Sequence, residues 1–273
     1  MSPQNRTEQN NNLFTFAICA YKNSPYLESA ILSAKSQSIP VDIFIATSTP
    51  SDYIRNIAQK HNIPCYENPV CAGIASDWNF AISMVKTPYA AIMHQDDIYF
   101  PEYAKRVVHG LMRSPDTLIA FTDYGDLMSD GKIHANRLYL HVKRLLLWSF
   151  YLKRHHFSRF WKRSALVFGN AICCPAVSYN VKKLKSVEFD TSFQVNLDWA
   201  KWLSLADEPG AFVFVPKVLM AHRISNSMET ASAIADSRRY NEDFRIFESI
   251  WGKKLASLLM KFYKKSYFAN KSS

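Results

Sequence analysis

The chain is short of acid where it is richest in base. Its 273 residues carry 33 Lys and Arg against 23 Asp and Glu. Residues 131–187 hold twelve Lys or Arg and no Asp or Glu, and residues 249–273 hold six Lys and no acid. Elsewhere 15 basic residues face 23 acidic ones, a net charge of −8. This is an acidic-to-neutral body with two cationic segments, which argues against a uniformly basic protein. Long apolar runs are also missing. The longest, Leu145 to Leu152, is eight residues between basic pairs, far below the ~20 that a spanning helix needs. The polar, Asn-rich stretch from Met1 to Asn12 lacks the basic and apolar regions of a signal peptide and reads as disordered. The expected place is the cytoplasm, peripheral at the inner face of a membrane. Five cysteines (Cys19, Cys65, Cys71, Cys173, Cys174) show no paired CxxC spacing, so a zinc site is not indicated and reduced, mostly buried thiols are expected. Seven Gly and twelve Pro exclude low complexity, and no segment repeats at a fixed period.

What is present is alternation. Apolar, β-rich runs at Phe14–Ala20, Val41–Thr47, Ile63–Tyr66 and Tyr89–His94 read as strands. Between them, helical spacing follows Ser24–Pro25, follows Thr49-Pro50-Ser51 as far as His61, and covers Ala75–Val85. Pro101–Met112 reads as a further helix, Thr117–Asp123 as a fifth strand and Gly125–Lys132 as turn. Downstream, Ala176–Asn180 and Phe212–Val218 read as strands, Asp198–Ala206 as a helix start, and residues 236–268 as one or two amphipathic helices. The pattern predicts an α/β fold with a mostly parallel central sheet flanked by helices. Ligands in such sheets bind at the carboxyl ends of strands.

Asp96 and Asp97 lie at such an end. Adjacent carboxylates repel unless a positive group sits beside them. Mn²⁺ or Mg²⁺ does this and bridges carboxylate to diphosphate oxygens; the alternative is an N-cap for the helix after Pro101. Asp198, beside Asn196, reads as an N-cap on its own. Trp199 and Trp202 are either core aromatics or sugar platforms.

The order of these pieces resembles family 2 glycosyltransferases of the A-type, Rossmann-like fold. Phe16 to Asn23 looks like the opening strand, and Tyr26-Leu27-Glu28 with Ser36-Gln37-Ser38 like the first helix. Gly73 to Asn79 is similar to the Gly-and-Asn segment before the aspartate strand, and Asp96-Asp97 followed by Tyr99-Phe100-Pro101 to the aspartate motif. Gly169 to Asn180 looks like the acceptor segment, Leu197-Asp198-Trp199 like the base motif, and His222 to Ser225 with Ser227 and Thr230 like the late His-Arg segment. The resemblance covers roughly residues 13–251. It implies a catalytic domain at 13–235, with a nucleotide-binding half at about 13–125, an acceptor half at about 126–235, and a basic amphipathic segment at 236–273.

The resemblance also implies an activity: inverting, metal-dependent hexosyl transfer from a UDP-linked sugar to a saccharide, lipid-linked in surface polysaccharide or glycoconjugate synthesis. Asp198 is the implied base. Asp96, Asp97 and His222 are the implied ligands of Mn²⁺ or Mg²⁺. Ala20, Tyr21, Thr47, Ser48, Gly73, Asn79, Gln95, Asp96 and Arg223 are the implied nucleotide-sugar contacts. Three departures stand out. His94 replaces the usual first Asp of the motif, Ala46 to Pro50 lacks the usual acids after the second strand, and Leu197 replaces the acid before the base.

Residues 137–163 interleave Arg and Lys with Leu, Trp, Phe and Tyr. That suits an anionic membrane surface or lipid-linked acceptor, a nucleic-acid groove, or a solvated subdomain; the second basic stretch, from Lys253 to Lys271, favours the membrane. A glycosyltransferase-like protein that only binds nucleotide sugar or glycan, or scaffolds a membrane complex, is the alternative to an enzyme. A nucleotidyltransferase is disfavoured because Cys19 to Pro25 is not a Gly-rich, basic loop.

Overall fold

The computed structural model describes residues 12–184, 188–224 and 237–269. The N-terminal stretch expected to be disordered, apart from Asn12, lies outside the described residues, as do Ser225, Ser227, Thr230 and Lys271. The first half alternates as the apolar pattern predicts: β1 (Phe14–Ala20), α1 (Leu27–Lys35), β2 (Asp42–Thr47), α2 (Asp52–Lys60), β3 (Cys65–Glu67), α3 (Ile74–Ser83) and β4 (Tyr89–His94). Ser51 caps α2 by accepting the Ile54 N–H. Gly73 opens α3 at φ +92, a backbone state that favours glycine.

Then come β5 (Ile98–Tyr99), α4 (Tyr103–Leu111), β6 (Thr117–Leu127) and β7 (Ile133–His134). The basic-aromatic stretch folds as α5 (Leu138–Leu146), α6 (Trp148–Leu152), β8 (His155–His156) and α7 (Arg159–Ser164). The chain continues through β9 (Val177–Asn180), α8 (Val181–Leu184), α9 (Leu197–Asp207), β10 (Ala211–Arg223) and α10 (Arg238–Ala269). Gly252, at φ 73 and ψ 162, kinks α10.

The strand order is β3-β2-β1-β4-β9-β6-β10-β5, with β7 on β6 and β8 on β10. β3, β2, β1 and β4 are parallel, and so are β6 and β10. β9 runs antiparallel to both β4 and β6, so the six longer-range crossover strands all point one way. One face packs α1, α2 and α4 against Phe14, Phe16 and Ile18. The other packs α3, α9 and α10 against Ile92, Ile119 and Phe214. Trp199 and Trp202 are fully buried there, with indole N–H groups on the carbonyls of Leu166 and Ile172. They are core residues, and the sugar-platform reading is overturned.

Two strands run further than their sequence suggests. β6 continues through Gly125 to Leu127, moving the turn to Met128–Lys132. β10 continues past Val218 to Arg223, with register shifts between Val215 and Val218 and between Val218 and Ala221. Pro216 lies in the first of these and has no N–H for a ladder. Pairing with the neighbouring strand overrides the local turn composition.

α5 is turned inside out. Arg144 pairs with Asp123 at 2.8 Å, Lys143 donates to the Tyr124 hydroxyl at 3.0 Å, and Arg137, just before the helix, pairs with buried Asp126 at 3.1 Å. Its outer stripe is Leu138, Val142 and Leu145, which are 80%, 52% and 70% exposed. Arg159 and Arg163 bind Asp207, Lys183 binds Asp116, and Lys132 meets Asp130. Much of the cationic charge of residues 131–187 is thus neutralised internally. Among the described residues, no helix is long and apolar enough to cross a membrane.

Candidate active site

The short β5–β10 ladder positions the first cluster. Tyr99 opposite Met220 and Ile98 opposite Ala221 bring the loop after β4 beside the end of β10. Asp97 is fully buried. Its Oδ1 accepts from Arg223 N at 2.9 Å and from His222 Nδ1 at 3.0 Å. Arg223 Nε donates to the Asp96 carbonyl at 2.9 Å, and its guanidinium lies 3.9 Å from the Tyr26 ring centre. Neither aspartate caps a helix: β5 and Phe100–Glu102 separate them from α4, so that alternative is removed.

Ligand atoms of His94, Asp96 and Asp97 all lie within 4.8 Å of one another. Asp97 Oδ2 and His94 Nε2 are buried with no hydrogen-bond partner. His94 is held by a Trp78 ring stacked at 5.4 Å and by its own Nδ1, 3.5 Å from Asp97 Oδ2. Burial, then the Asp97 charge, raises the Asp96 pKa. Burial also acts upward on Asp97, but His222, His94 and the Arg223 N–H outweigh it and hold the pKa low. His222 moves the opposite way: burial disfavours its charge, and Asp97 more than compensates, raising it. Two oxygen donors and one imidazole, with two orphaned atoms between them, fit a divalent cation. His222 stands behind the cluster through its bond to Asp97.

Of the other expected donor-side residues, Ala20, Tyr21, Thr47 and Ser48 lie at the ends of β1 and β2, while Gly73 opens α3 and Asn79 lies within it. Ala20 ends β1, and half-exposed Tyr21 follows. Gln95 ties the β4 end to this strand, accepting from Tyr21 N at 3.1 Å and donating to Tyr21 O at 2.9 Å. Thr47 is buried and accepts the Thr49 N–H. Ser48 donates to Asp77 Oδ2 at 2.8 Å, and Asn68 donates to Asp77 Oδ1 at 3.0 Å. Asp77 therefore brings a carboxylate from α3 to the end of β2, where the sequence itself lacks one. Asn79 clamps the Phe189 main chain through two hydrogen bonds.

The residues expected on the acceptor side lie on α9 and around the turn at Cys173–Ala176. Asp198 lies in the first turn of α9, partly exposed. Its Oδ1 accepts the Trp199 N–H at 2.8 Å, and its Oδ2 accepts Asn170 Nδ2 at 2.6 Å. Burial raises its pKa despite Arg239, these two donors and Lys143. Cys174, on that buried turn, lies within electrostatic reach of both Asp198 and Asp97. Sequence reasoning passed over Asp77 and Asn170 as individual residues. Both lie inside motifs that were recognised, and only the fold shows where each side chain goes.

Known proteins are similar to this chain. An uncharacterized glycosyltransferase of Rickettsia typhi is 24% identical over 241 residues, 88% of this chain and 70% of that protein. S. aureus TarS 1–349, solved with UDP-GlcNAc, superposes with a TM-score of 0.64 at 12% identity, covering 94% of this chain and 72% of that one. In another TarS 1–349 structure the chain spans only 64% of its counterpart. The mannosyltransferase PcManGT of Pyrobaculum calidifontis, solved with GDP-Man and Mn²⁺, gives a TM-score of 0.58 at 13% identity, over 92% and 74% of the chains. These structural likenesses show the A-type glycosyltransferase fold. The model for glycosyl transferase family 2 matches residues 15–178, more than half the length, and the chain belongs to that family.

Proposed function

We propose that the chain is an inverting, metal-dependent hexosyltransferase. It moves sugar from a UDP-linked donor to a saccharide, carried on lipid, in building surface polysaccharide or glycoconjugate. One observation carries this reading: ligand atoms of His94, Asp96 and Asp97 cluster as a cation site does, and the partly exposed Asp198 carboxylate lies within electrostatic reach of the same buried cysteine as Asp97. The UDP-GlcNAc bound to TarS and the Mn²⁺ bound to PcManGT support the same donor and ion class.

In this reading Asp96 and Asp97 hold Mn²⁺ or Mg²⁺, with His222 as a further ligand or as the support of Asp97. A bound cation there supplies charge stabilisation for the departing nucleoside diphosphate. Ala20, Tyr21, Thr47, Ser48, Gly73, Asn79 and Gln95 form the donor side, and Arg223 adds its positive charge. Asp198 takes the proton of the acceptor hydroxyl as that oxygen attacks the anomeric carbon from the face opposite the leaving group. Its raised pKa suits a base that must receive a proton.

The lipid-linked acceptor and a peripheral place on a membrane are supported by the outward apolar stripe of α5. Exposed Trp148, Leu152, Phe160, Leu258 and Phe262 add to it.

The test is release of nucleoside diphosphate from a panel of nucleotide sugars, with Mn²⁺, Mg²⁺ or EDTA, for wild type and Asp96→Ala. Metal-dependent release from one donor, lost in the variant, is expected. His94 in place of an Asp motivates a second reading, a protein that binds without turnover. No release from any donor, with membrane lipid supplied, decides for it.

A further inference from the structure

Asn170 stands beside the candidate base for a reason that packing does not require. Its Nδ2 donates to Asp198 Oδ2 at 2.6 Å, while Trp199 N holds Oδ1. Two donors on two oxygens fix the carboxylate plane. The orientation of the Asn170 amide is set by charge, since turning it over would place its oxygen against a carboxylate oxygen. In this orientation Asn170 Oδ1 is a buried acceptor without a hydrogen-bond partner. That oxygen is closed to solvent, so the amide serves the site through its bond to Asp198.

We propose that Asn170 is a positioning residue: its N–H fixes the plane of the Asp198 carboxylate for proton transfer from the acceptor hydroxyl. This rests on Asp198 being the base. In the step itself, the attacking hydroxyl proton passes to Asp198, the new carbon–oxygen bond forms at the anomeric carbon, and the nucleoside diphosphate leaves with the electron pair of the broken bond. Asn170 exchanges no proton. It holds the Asp198 carboxylate in one plane, so that the attacking hydroxyl meets a fixed oxygen.

The surroundings leave this bond readable. Arg239 of α10 and Lys143 of α5 favour the ionised Asp198. Cys173, Cys174, Tyr179 of β9 and Tyr263 of α10 are pushed upward by burial and stay neutral. The Asn170 bond lowers the Asp198 pKa, so its removal raises it.

The experiment compares wild type, Asn170→Ala, Asn170→Ser and Asp198→Asn. It follows pH profiles of kcat/KM for acceptor, KM for donor, and a direct ¹³C titration of the Asp198 carboxyl in labelled protein. In Asn170→Ala the acid limb and the carboxyl titration should both move up by about one pH unit. Its kcat/KM for acceptor should fall roughly 10- to 100-fold, with donor KM changed by less than about twofold. Asn170→Ser keeps a donor and an acceptor and should recover part of the loss. If Asn170→Ala does not fold, the same profile and titration are read in Asn170→Ser, whose shorter reach should move both upward by a smaller amount. An acid limb and carboxyl titration unmoved in both Asn170 variants overturns the proposal. Turnover retained in Asp198→Asn removes the base reading as well; Asp198→Asn inactive with Asn170→Ala titrating as wild type removes this proposal alone.

Discussion

Asp97 and Arg223 lie 126 residues apart, yet the Asp97 carboxylate accepts the Arg223 main-chain N–H at 2.9 Å. His222 donates to the same oxygen. A charge buried this deeply needs both partners. Asp97→Asn should cost about 1–3 kcal/mol of stability, measured by urea unfolding in EDTA. Asp97 is held below its ordinary 3.8, so its contribution is present above that value and lost as pH falls through the lower folded value. His222 is raised above 6.5, so its contribution is full below 6.5 and lost as pH rises through the raised value. The cost of Asp97→Asn should therefore be larger at pH 6 than at pH 9.

Asp198→Asn should lower kcat by roughly 10²- to 10⁴-fold and leave UDP binding, followed by calorimetry, unchanged. In wild type the raised Asp198 pKa places the acid limb of activity above 3.8, with rate falling as pH drops through it.

Metal affinity separates the two roles open to His222. If it supports Asp97 from behind, His222→Ala should weaken Mn²⁺ binding by about 10- to 100-fold, less than Asp96→Ala does. Equal losses in the two variants identify His222 as a direct ligand.

Lys201 is buried at 3% exposure, with its ammonium unpartnered 5.0 Å from the Phe189 ring centre. Burial lowers its pKa from 10.5 to about 7, and Glu188 only partly counters this. Between those values the unfolded chain holds a proton that the folded one lacks, so stability rises with pH across the window. Lys201→Met should flatten that slope and stabilise the protein by ~1–2 kcal/mol at pH 7. A variant as pH-sensitive as wild type would sink the assignment.

Leu138→Gln with Leu145→Gln should reduce sedimentation with anionic vesicles and leave turnover on a soluble acceptor unchanged. Because the α5 cations pair inward, raising the salt should release wild type less than these two substitutions do. Full release by salt alone would assign the binding to charge.

The first half of the fold is legible because each element announces itself locally. The Phe14–Ala20 run, the Ser51 cap and the Tyr89–His94 run need no partner to be recognised. The motif order likewise pointed to Asp96, Asp97 and Asp198. The ends of β6 and β10 were not legible, since Gly125 and Pro216 look like breakers and only strand pairing carries the chain past them. Nor was the fate of the basic stretch. Composition counts Arg137 and Arg144 as surface charge, whereas their partners Asp126 and Asp123 lie just outside the acid-free segment.

The position of β9 has a consequence for how the protein is divided. This short strand fills the sheet between β4 and β6, although more than sixty residues of chain separate β4 from it. A fragment ending near residue 125 would hold every strand of the nucleotide-binding half and still have a gap at its centre. The facing edges of β4 and β6 would be bare templates for another chain's strand. The strand that fills that gap, β9, comes from the second of the two halves expected from the motifs.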